Sequence, residues 1–394
     1  VTGKHDVTDP GGSRLSVAPK LADIGAAAWD ACAGPDNPFV SYAFLSALED
    51  SGSATAREGW QPQHLMLEDA AGRLIACAPI YLKSHSYGEY VFDHGWADAY
   101  ERAGGRYYPK LQCAVPFSPV PGPRLLLHPA APPDTAQVMI AGMVELARQL
   151  GVSSLHVTFP TEAQWREFGA AGLLQRIGQQ FHWENRGYGS FDDFLGALNS
   201  RKRKAIRKER RDALDGGLDI RTLTGDEIKP PHWDAFFQFY MATSDRKWGS
   251  AYLTRRFFDL LGERLGDRVV LVMAFAQGEP VAGALNLRGA DTLYGRNWGA
   301  LGDFKFLHFE ACYYRAIDYA IAHKLARVEA GAQGTHKIQR GYLPSETYSA
   351  HWIRDKGFAD AVERFLERER PSVREQMAEL AALSPFRQEG EAEG

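Results

Sequence analysis

Gly278-Glu-Pro-Val-Ala-Gly-Ala-Leu-Asn-Leu-Arg288 reads as a turn running into a strand, and Gly72-Arg-Leu-Ile-Ala-Cys-Ala-Pro-Ile-Tyr-Leu82 reads the same way. Ala76 falls on Ala282 and Ala78 on Ala284, a spacing of 206 residues. A strand-like run precedes each, 63–68 in one case and 268–276 in the other, so each half predicts a hairpin. Farther on, a helical pattern over 137–150 leads into a strand at 154–159, and its counterpart over 307–324 leads into a strand at 326–330. Here Ala147 falls on Ala320 and Leu155 on Val328, a spacing of 173, so the first half holds the extra residues, around 83–123. Helices, hairpin, further strands, helix, strand, met twice, predict a duplicated α/β domain. A chance match of short Ala-rich segments is the alternative.

The composition agrees with a globular chain. With 45% hydrophobic and 24% charged residues, global disorder is excluded. No run approaches the length of apolar chain that spans a bilayer, so no membrane span is expected. The polar, Gly/Pro-broken start lacks the apolar stretch of a secretory signal. Cys32, Cys77, Cys113 and Cys312 form no C-x-x-C pair and have no His at ligand spacing, which predicts reduced thiols, a cytoplasmic protein and no metal site.

Charge is uneven. The net charge is −4, yet Arg201-Lys-Arg-Lys-Ala-Ile-Arg-Lys-Glu-Arg-Arg211 holds eight basic residues and one acid, leaving −11 elsewhere. A capping-box-like Ser190 and Asp193, an apolar stripe of Phe191, Phe194, Leu195 and Leu198, and the stop at Gly216 and Gly217 predict one continuous basic helix. That helix (188–217) would connect an N-terminal domain, 19–187, to a C-terminal domain, 218–386. Arg201, Lys202, Arg203, Lys204, Arg207, Lys208 and Arg210 cover more than one helical face, so the segment is a positive rod suited to a phosphate-bearing ligand. A surface helix solubilised by charge is the alternative. A last helical pattern over 358–383 is broken by Pro371, or restarts there with Pro371 as first residue.

Six stretches carry a family resemblance: Tyr81-Leu-Lys-Ser-His-Ser-Tyr-Gly-Glu-Tyr-Val-Phe-Asp93, Phe181-His-Trp-Glu-Asn185, Asp245-Arg-Lys-Trp-Gly249, Leu307-His-Phe-Glu310, Glu329-Ala-Gly-Ala-Gln-Gly-Thr-His-Lys337 and Arg340-Gly-Tyr342. With them the chain resembles the FemAB-like group of peptidoglycan biosynthesis/recognition proteins and N-acyltransferases, related to the Fem aminoacyl-tRNA-dependent peptide ligases. The resemblance implies an α/β fold of two tandem GNAT-like domains, each a mixed central sheet flanked by helices. It implies an N-acyltransferase that forms an amide on an amine-bearing acceptor, a small molecule or a peptide. The favoured donor is an aminoacyl-tRNA, held in part by the basic helix, with no tightly bound cofactor. Acyl-CoA is the alternative donor, and a non-catalytic binding protein on the same shell is the alternative function.

Two departures bear on the donor. Fem ligases insert a long helical hairpin arm, and only a single basic helix is visible here. An ordinary GNAT domain has a Gln/Arg-x-x-Gly-x-Gly/Ala loop whose N–H groups cradle the CoA pyrophosphate. This chain has Gly299-Ala-Leu-Gly-Asp-Phe-Lys-Phe306 at that place, and Pro129-Ala-Ala-Pro-Pro133 in the first half, where prolines remove the donors.

Acyl transfer to an amine needs a proton acceptor, a group that steadies the oxyanion and a proton for the leaving oxygen. The second half supplies candidates for catalysis in Glu310, Glu329, His336 and Lys337, beside His308, Tyr314, Gln333 and Arg340 as substrate contacts. Arg296 and Trp298, large polar or aromatic side chains on a predicted strand, imply a lined cleft. Arg246, Lys247 and Trp248 end the helix that begins near Pro231 and are expected to contact substrate or to answer the helix dipole. In the first half Lys83, Tyr87, Tyr90, Asp93, Trp96, Tyr107 and Lys110 mix aromatics with charge among glycines and prolines, as in a loop-walled pocket for a polar, amine-bearing acceptor. No Ser-His-Asp or Cys-His arrangement is evident, so direct attack without a covalent enzyme intermediate is expected.

Overall fold

The computed structural model describes residues 7–8, 12–247, 251–332 and 334–387. The chain divides into two compact units, 1–178 with 346–373 and 179–345 with 374–394. This differs from the contiguous domains 19–187 and 218–386 expected from sequence, and the cause is one strand. Leu343–Ile353 delivers Ser349–Ile353 to the first unit, antiparallel to Ser154–Thr158. The basic segment is not a separate connector either; it falls inside the second unit.

In the first unit, Arg14–Ala18, His64–Glu68, Leu74–Ala78 and Leu126–Leu127 pair antiparallel in that order. The strand expected over 72–82 is divided at Pro79, which has no N–H to give a ladder. Its second piece, Ile80–Lys83, pairs with Lys110–Cys113, and that strand runs parallel to Ser154–Thr158 with Gln112 opposite His156. Parallel neighbours need a crossover, here the helix Thr135–Gln149. Its Met139, Ile140, Met143 and Ala147 lie on one face and pack with Leu111, Leu155 and Val157. Truncating one of these, for example Met143→Ala, costs about 2–5 kcal/mol.

The second unit repeats the order. Helices Pro230–Lys247 and Arg255–Leu265 follow the strand Leu218–Thr224, and the hairpin Val269–Ala276 with Glu279–Arg288 comes next. Val269–Ala276 (Val-Val-Leu-Val-Met-Ala-Phe-Ala) is apolar almost throughout and buried on both faces, which rules out a wet side. Thr292–Ala300 then pairs antiparallel with the hairpin and parallel with Arg327–Glu329, placing Tyr294 opposite Glu329. His182–Glu184 closes the far side of Arg327–Glu329.

Three helices depart from their expected form. The basic helix is two, Phe191–Gly196 and Ser200–Leu214. Asn199 ends the first run: its N–H donates to Pro385 O at 2.9 Å, and its side chain caps the second helix by accepting from Lys202 N–H at 3.0 Å. The crossover helix after Phe306 is Leu307–Phe309, then a π-turn at Glu310–Tyr314, then Arg315–Ala322. The last helix, Lys356–Ala382, continues through Pro371, whose exposed position leaves the unpaired carbonyl one turn earlier to water. No helix among the described residues is long and apolar enough to cross a membrane.

Candidate active site

The parallel strands of the second unit stay together only briefly. Thr292, Leu293 and Tyr294 face Arg327, Val328 and Glu329; beyond them Thr292–Ala300 runs on without that neighbour. A bulge marks the parting. Asn286 faces Gly295 and Leu285 faces Asn297, so Arg296 is the extra residue. Gly295 is closely packed: a Cβ there would lie 3.2 Å from Glu329 O, so that carbonyl would have to shift by a few tenths of an ångström. Gly299 is more constrained still, at 2.1 Å from Phe239 O.

Glu329 ends the shorter strand, 5% exposed, and its Oε2 has no hydrogen-bond partner among the described residues. Burial pushes its carboxyl up to about 8 against the opposing pull of Arg327 and Arg296. His182 Nε2 stands 4.0 Å away, and burial, helped by Arg327 and Lys337, pushes that imidazole down to about 3. The pair is therefore a neutral imidazole beside a carboxyl that ionises near neutral pH, rather than an ion pair. His182 was not among the residues expected from sequence. Its signal was present in Phe181-His-Trp-Glu-Asn185, where His182 stands between two aromatic residues.

Around the parting lie the other second-half candidates. Exposed His336 receives or gives a hydrogen bond with Tyr313 OH at 2.9 Å, and the His308 ring stands 5.3 Å from the rings of both Trp298 and Tyr313. A cavity of about 230 Å³ opens between Trp298, Phe304, Leu307, His308 and Thr243.

Four expected roles change. Glu310 is fully buried and takes bonds from Arg210 Nε and Nη2 at 3.0 Å each and from Arg315 Nε at 2.9 Å. A carboxylate so held is an ion-pair hub with both oxygens already engaged. Lys337 is 5% exposed and donates to the carbonyls of Ala330 and Gly331, so it ties the turn Thr335–Arg340 to the strand end instead of meeting an oxyanion. Arg340 reaches Glu209 at 2.8 and 2.9 Å and His336 O at 2.8 Å, and fully buried Tyr314 donates to the same Glu209. Both hold the frame and are closed to substrate. Trp248 and Gln333 lie outside the described residues, as do the side chains of Arg246 and Lys247.

The first-half candidates are split. Tyr87 and Tyr90 are exposed at 60% and 38%. Lys83, Asp93, Tyr107 and Lys110 are instead sealed in an ionic core, so the expected pocket wall is not formed there. Lys110 donates to Ser86 Oγ and Glu89 Oε2, both at 2.7 Å, and to Asp93, which also receives Tyr107 OH at 2.7 Å. Burial alone would lower the Lys110 ammonium, but Glu89 and Asp93 outweigh it. Lys83 lies 3.5 Å over the Trp60 ring and 3.8 Å from Glu89, and burial pushes it down to about 7. His156 Nδ1 and His351 Nδ1 are hydrogen-bonded to each other at 2.7 Å, with the Trp96 ring packed 4.9 Å from His351.

The basic helix Ser200–Leu214 exposes Arg201, Lys204, Arg207 and Lys208, with Lys202 and Arg203 half-buried. Among the described residues no ion pair engages Arg201, Lys202, Arg203 or Lys204, whereas Arg207 pairs with Asp192 at 2.9 Å and Lys208 approaches Asp212 at 3.9 Å. Arg210 leaves the rod for Glu310 and Asp318. Among the described residues no cluster of His, Cys, Asp or Glu could hold a metal ion.

The FemAB-like family, described as peptidoglycan biosynthesis/recognition, matches residues 20–388. Among solved structures, FemX is 10% identical with a TM-score of 0.54, covering 87% of this chain and 98% of its own. The C-terminal domain (DUF2156) of a putative lysylphosphatidylglycerol synthetase from Agrobacterium fabrum is 9% identical with a TM-score of 0.56, covering 89% and 97%. A tandem GNAT protein from the clavulanic acid biosynthesis pathway is 11% identical, covering 86% and 98% at a TM-score of 0.47. No curated protein matches the sequence. The fold is that of two tandem GNAT-like domains.

Proposed function

The chain belongs to the FemAB-like family, and on that premise we propose that it is an N-acyltransferase whose second unit carries the aminoacyl group of an aminoacyl-tRNA onto an amine. The observation that carries this reading is Glu329: a buried carboxyl with a bare oxygen, poised near neutral pH, at the point where the two parallel strands part. A base with its pKa near the working pH combines the right protonation state with useful proton affinity. An approaching ammonium favours the carboxylate, so substrate binding itself arms the base.

Glu329 takes one proton from the acceptor ammonium, and the freed amine attacks the ester carbonyl carbon. The tetrahedral centre then expels the ribose oxygen, the C–O bond breaks and the amide remains. One proton passes to the leaving hydroxyl, for which the Tyr313–His336 pair is the available relay, and one passes to solvent. Uncommitted cations on the basic helix support a tRNA donor, and a tRNA donor would place the reaction in the cytoplasm. The N–H groups of Leu307, Phe309 and Glu310 are already spent on Phe304 and Phe306 carbonyls, which disfavours a pyrophosphate cradle and with it acyl-CoA. The family's description supports a peptidoglycan precursor amine as acceptor.

The test is a transfer assay with a pool of tRNA charged with radiolabelled amino acids and a lysine-containing muropeptide precursor. Ribonuclease-sensitive labelling of the precursor is expected. Labelling from acyl-CoA in place of charged tRNA overturns the donor, and loss of labelling with undiminished precursor binding favours the non-catalytic reading.

A further inference from the structure

We infer that the cavity of the second unit is a receptor for an ammonium-bearing group about the size of one amino-acid residue, with Asp303 as its counter-charge and Trp298 and Phe304 as its walls. The inference rests on the donor reading above and makes this cavity the seat of the donor's free amino group.

Size comes first. At about 230 Å³ the space is below the roughly 300–1,000 Å³ of pockets that enclose drug-sized ligands. That scale suits a single aminoacyl group better than a whole nucleotide. Charge comes second. Asp303 is an exposed carboxylate on the lining, and no ion pair among the described residues engages it. Among the described residues no Lys or Arg lines the cavity, and neighbouring Lys305 pairs with Asp212 at 2.9 Å. Among the described lining residues the one charge is that of Asp303, which repels a phosphate or carboxylate, and the N–H groups of Leu307, Phe309 and Glu310 are already spent. Wall chemistry comes third. Aromatic faces with one carboxylate attract a cation, through the ring quadrupole and the counter-charge together. Leu307 and Thr243 leave room for an aliphatic side chain. The site also adjoins the proposed relay, since His308 is both a lining residue and 6.0 Å, ring to ring, from His336.

Binding of L-alanine methyl ester and of its N-acetyl derivative tests this, by calorimetry or ligand-observed NMR on the full chain. The two probes share size and ester and differ in the ammonium. The free ester is expected to bind roughly tenfold tighter, the scale of one such contact. Asp303→Asn should erase that gap without weakening the acetylated probe; the residue is exposed, and an unchanged melting temperature verifies the fold. Equal binding of the two esters, no binding of either at millimolar concentration, or a gap that survives in Asp303→Asn overturns the inference. The transfer assay separates the two readings. If no aminoacyl-tRNA donates while the ester preference stands, the donor falls and the ammonium site remains. If transfer proceeds and N-acetylaminoacyl-tRNA donates as well as the free form, the site falls and the function remains.

Discussion

His156 and Glu329 stand at matching places, 173 residues apart, each on the second strand of a parallel pair and each facing a residue of the first strand. Their surroundings are opposite. His156 is enclosed by hydrogen bonds to Ser154, Tyr107 and His351, and burial with the charge of Lys110 pushes it down to about 3. Glu329 keeps a bare oxygen and is pushed up to about 8. The first unit fills its polar face from the extra residues near 83–123, whose Glu89 and Asp93 neutralise Lys110. The second unit has no such filling and keeps a cavity nearby. One scaffold therefore carries buried carboxyls in two ways. In the first unit they are paired with Lys110, although Glu89 Oε1 and Asp93 Oδ1 make no hydrogen bond among the described residues. At Glu329, where chemistry is proposed, no Lys or Arg among the described residues stands at ion-pair distance.

The strongest attack on that contrast is Glu329→Gln. Turnover should drop by roughly 10²–10⁴-fold, and wild-type kcat/KM should rise with pH through about 8 while the variant's profile is flat. Stability should move the other way. Because the folded pKa is raised above the ordinary 4.5, this carboxyl's favourable contribution is full below pH 4.5 and is lost as pH rises through 8. Glu329→Gln should therefore melt higher than wild type above pH 8 and converge with it below about pH 4.5. Equal melting curves across that range would break the assignment.

Lys110→Met is the matching blow to the first unit. It strands Glu89 and Asp93 in the core, and removing one member of a buried network costs about 3–5 kcal/mol. A large fall in melting temperature is expected, with activity lost only in proportion to folded protein. Glu310→Gln should lie between the two, losing about 1–3 kcal/mol of stability through Arg210 and Arg315 with near-normal specific activity. A rate loss with an unchanged melting curve would return Glu310 to the chemistry. The smallest effect is expected at the surface: Arg201→Gln with Lys204→Gln should flatten the salt dependence of tRNA binding by about 0.9 or less per lost phosphate contact and leave stability unchanged.

Local signals were legible in the sequence and distant partners were not. The hairpins and crossovers follow from periodicity, and Glu329 was visible as an acid near a strand end. Glu310 looked equally promising, because the guanidinium that occupies it comes from Arg210, a hundred residues earlier on a helix read only as a charged rod. Alternating aromatics and charges near Lys83 and Lys110 fit a pocket wall and an ionic core alike; what decides is whether carboxylates arrive from 89 and 93, a matter of tertiary placement. The break at Asn199 had a capping signal, masked by apolar periodicity that continues to Leu198.

The π-turn at Glu310–Tyr314 sets the phase of the helix that contains it. Each α-helical residue turns the axis by about 100°, and a wider turn inserts one residue into that count. His308 before it can then line the cavity while Ile317 and Ile321 after it stay in the core. Deleting a single residue within 310–314 would restore a regular ladder and rotate one end against the other by that same angle. The helix would remain whole, but no setting would let both ends keep their present neighbours, so a one-residue deletion here should act like a key cut one notch out of register.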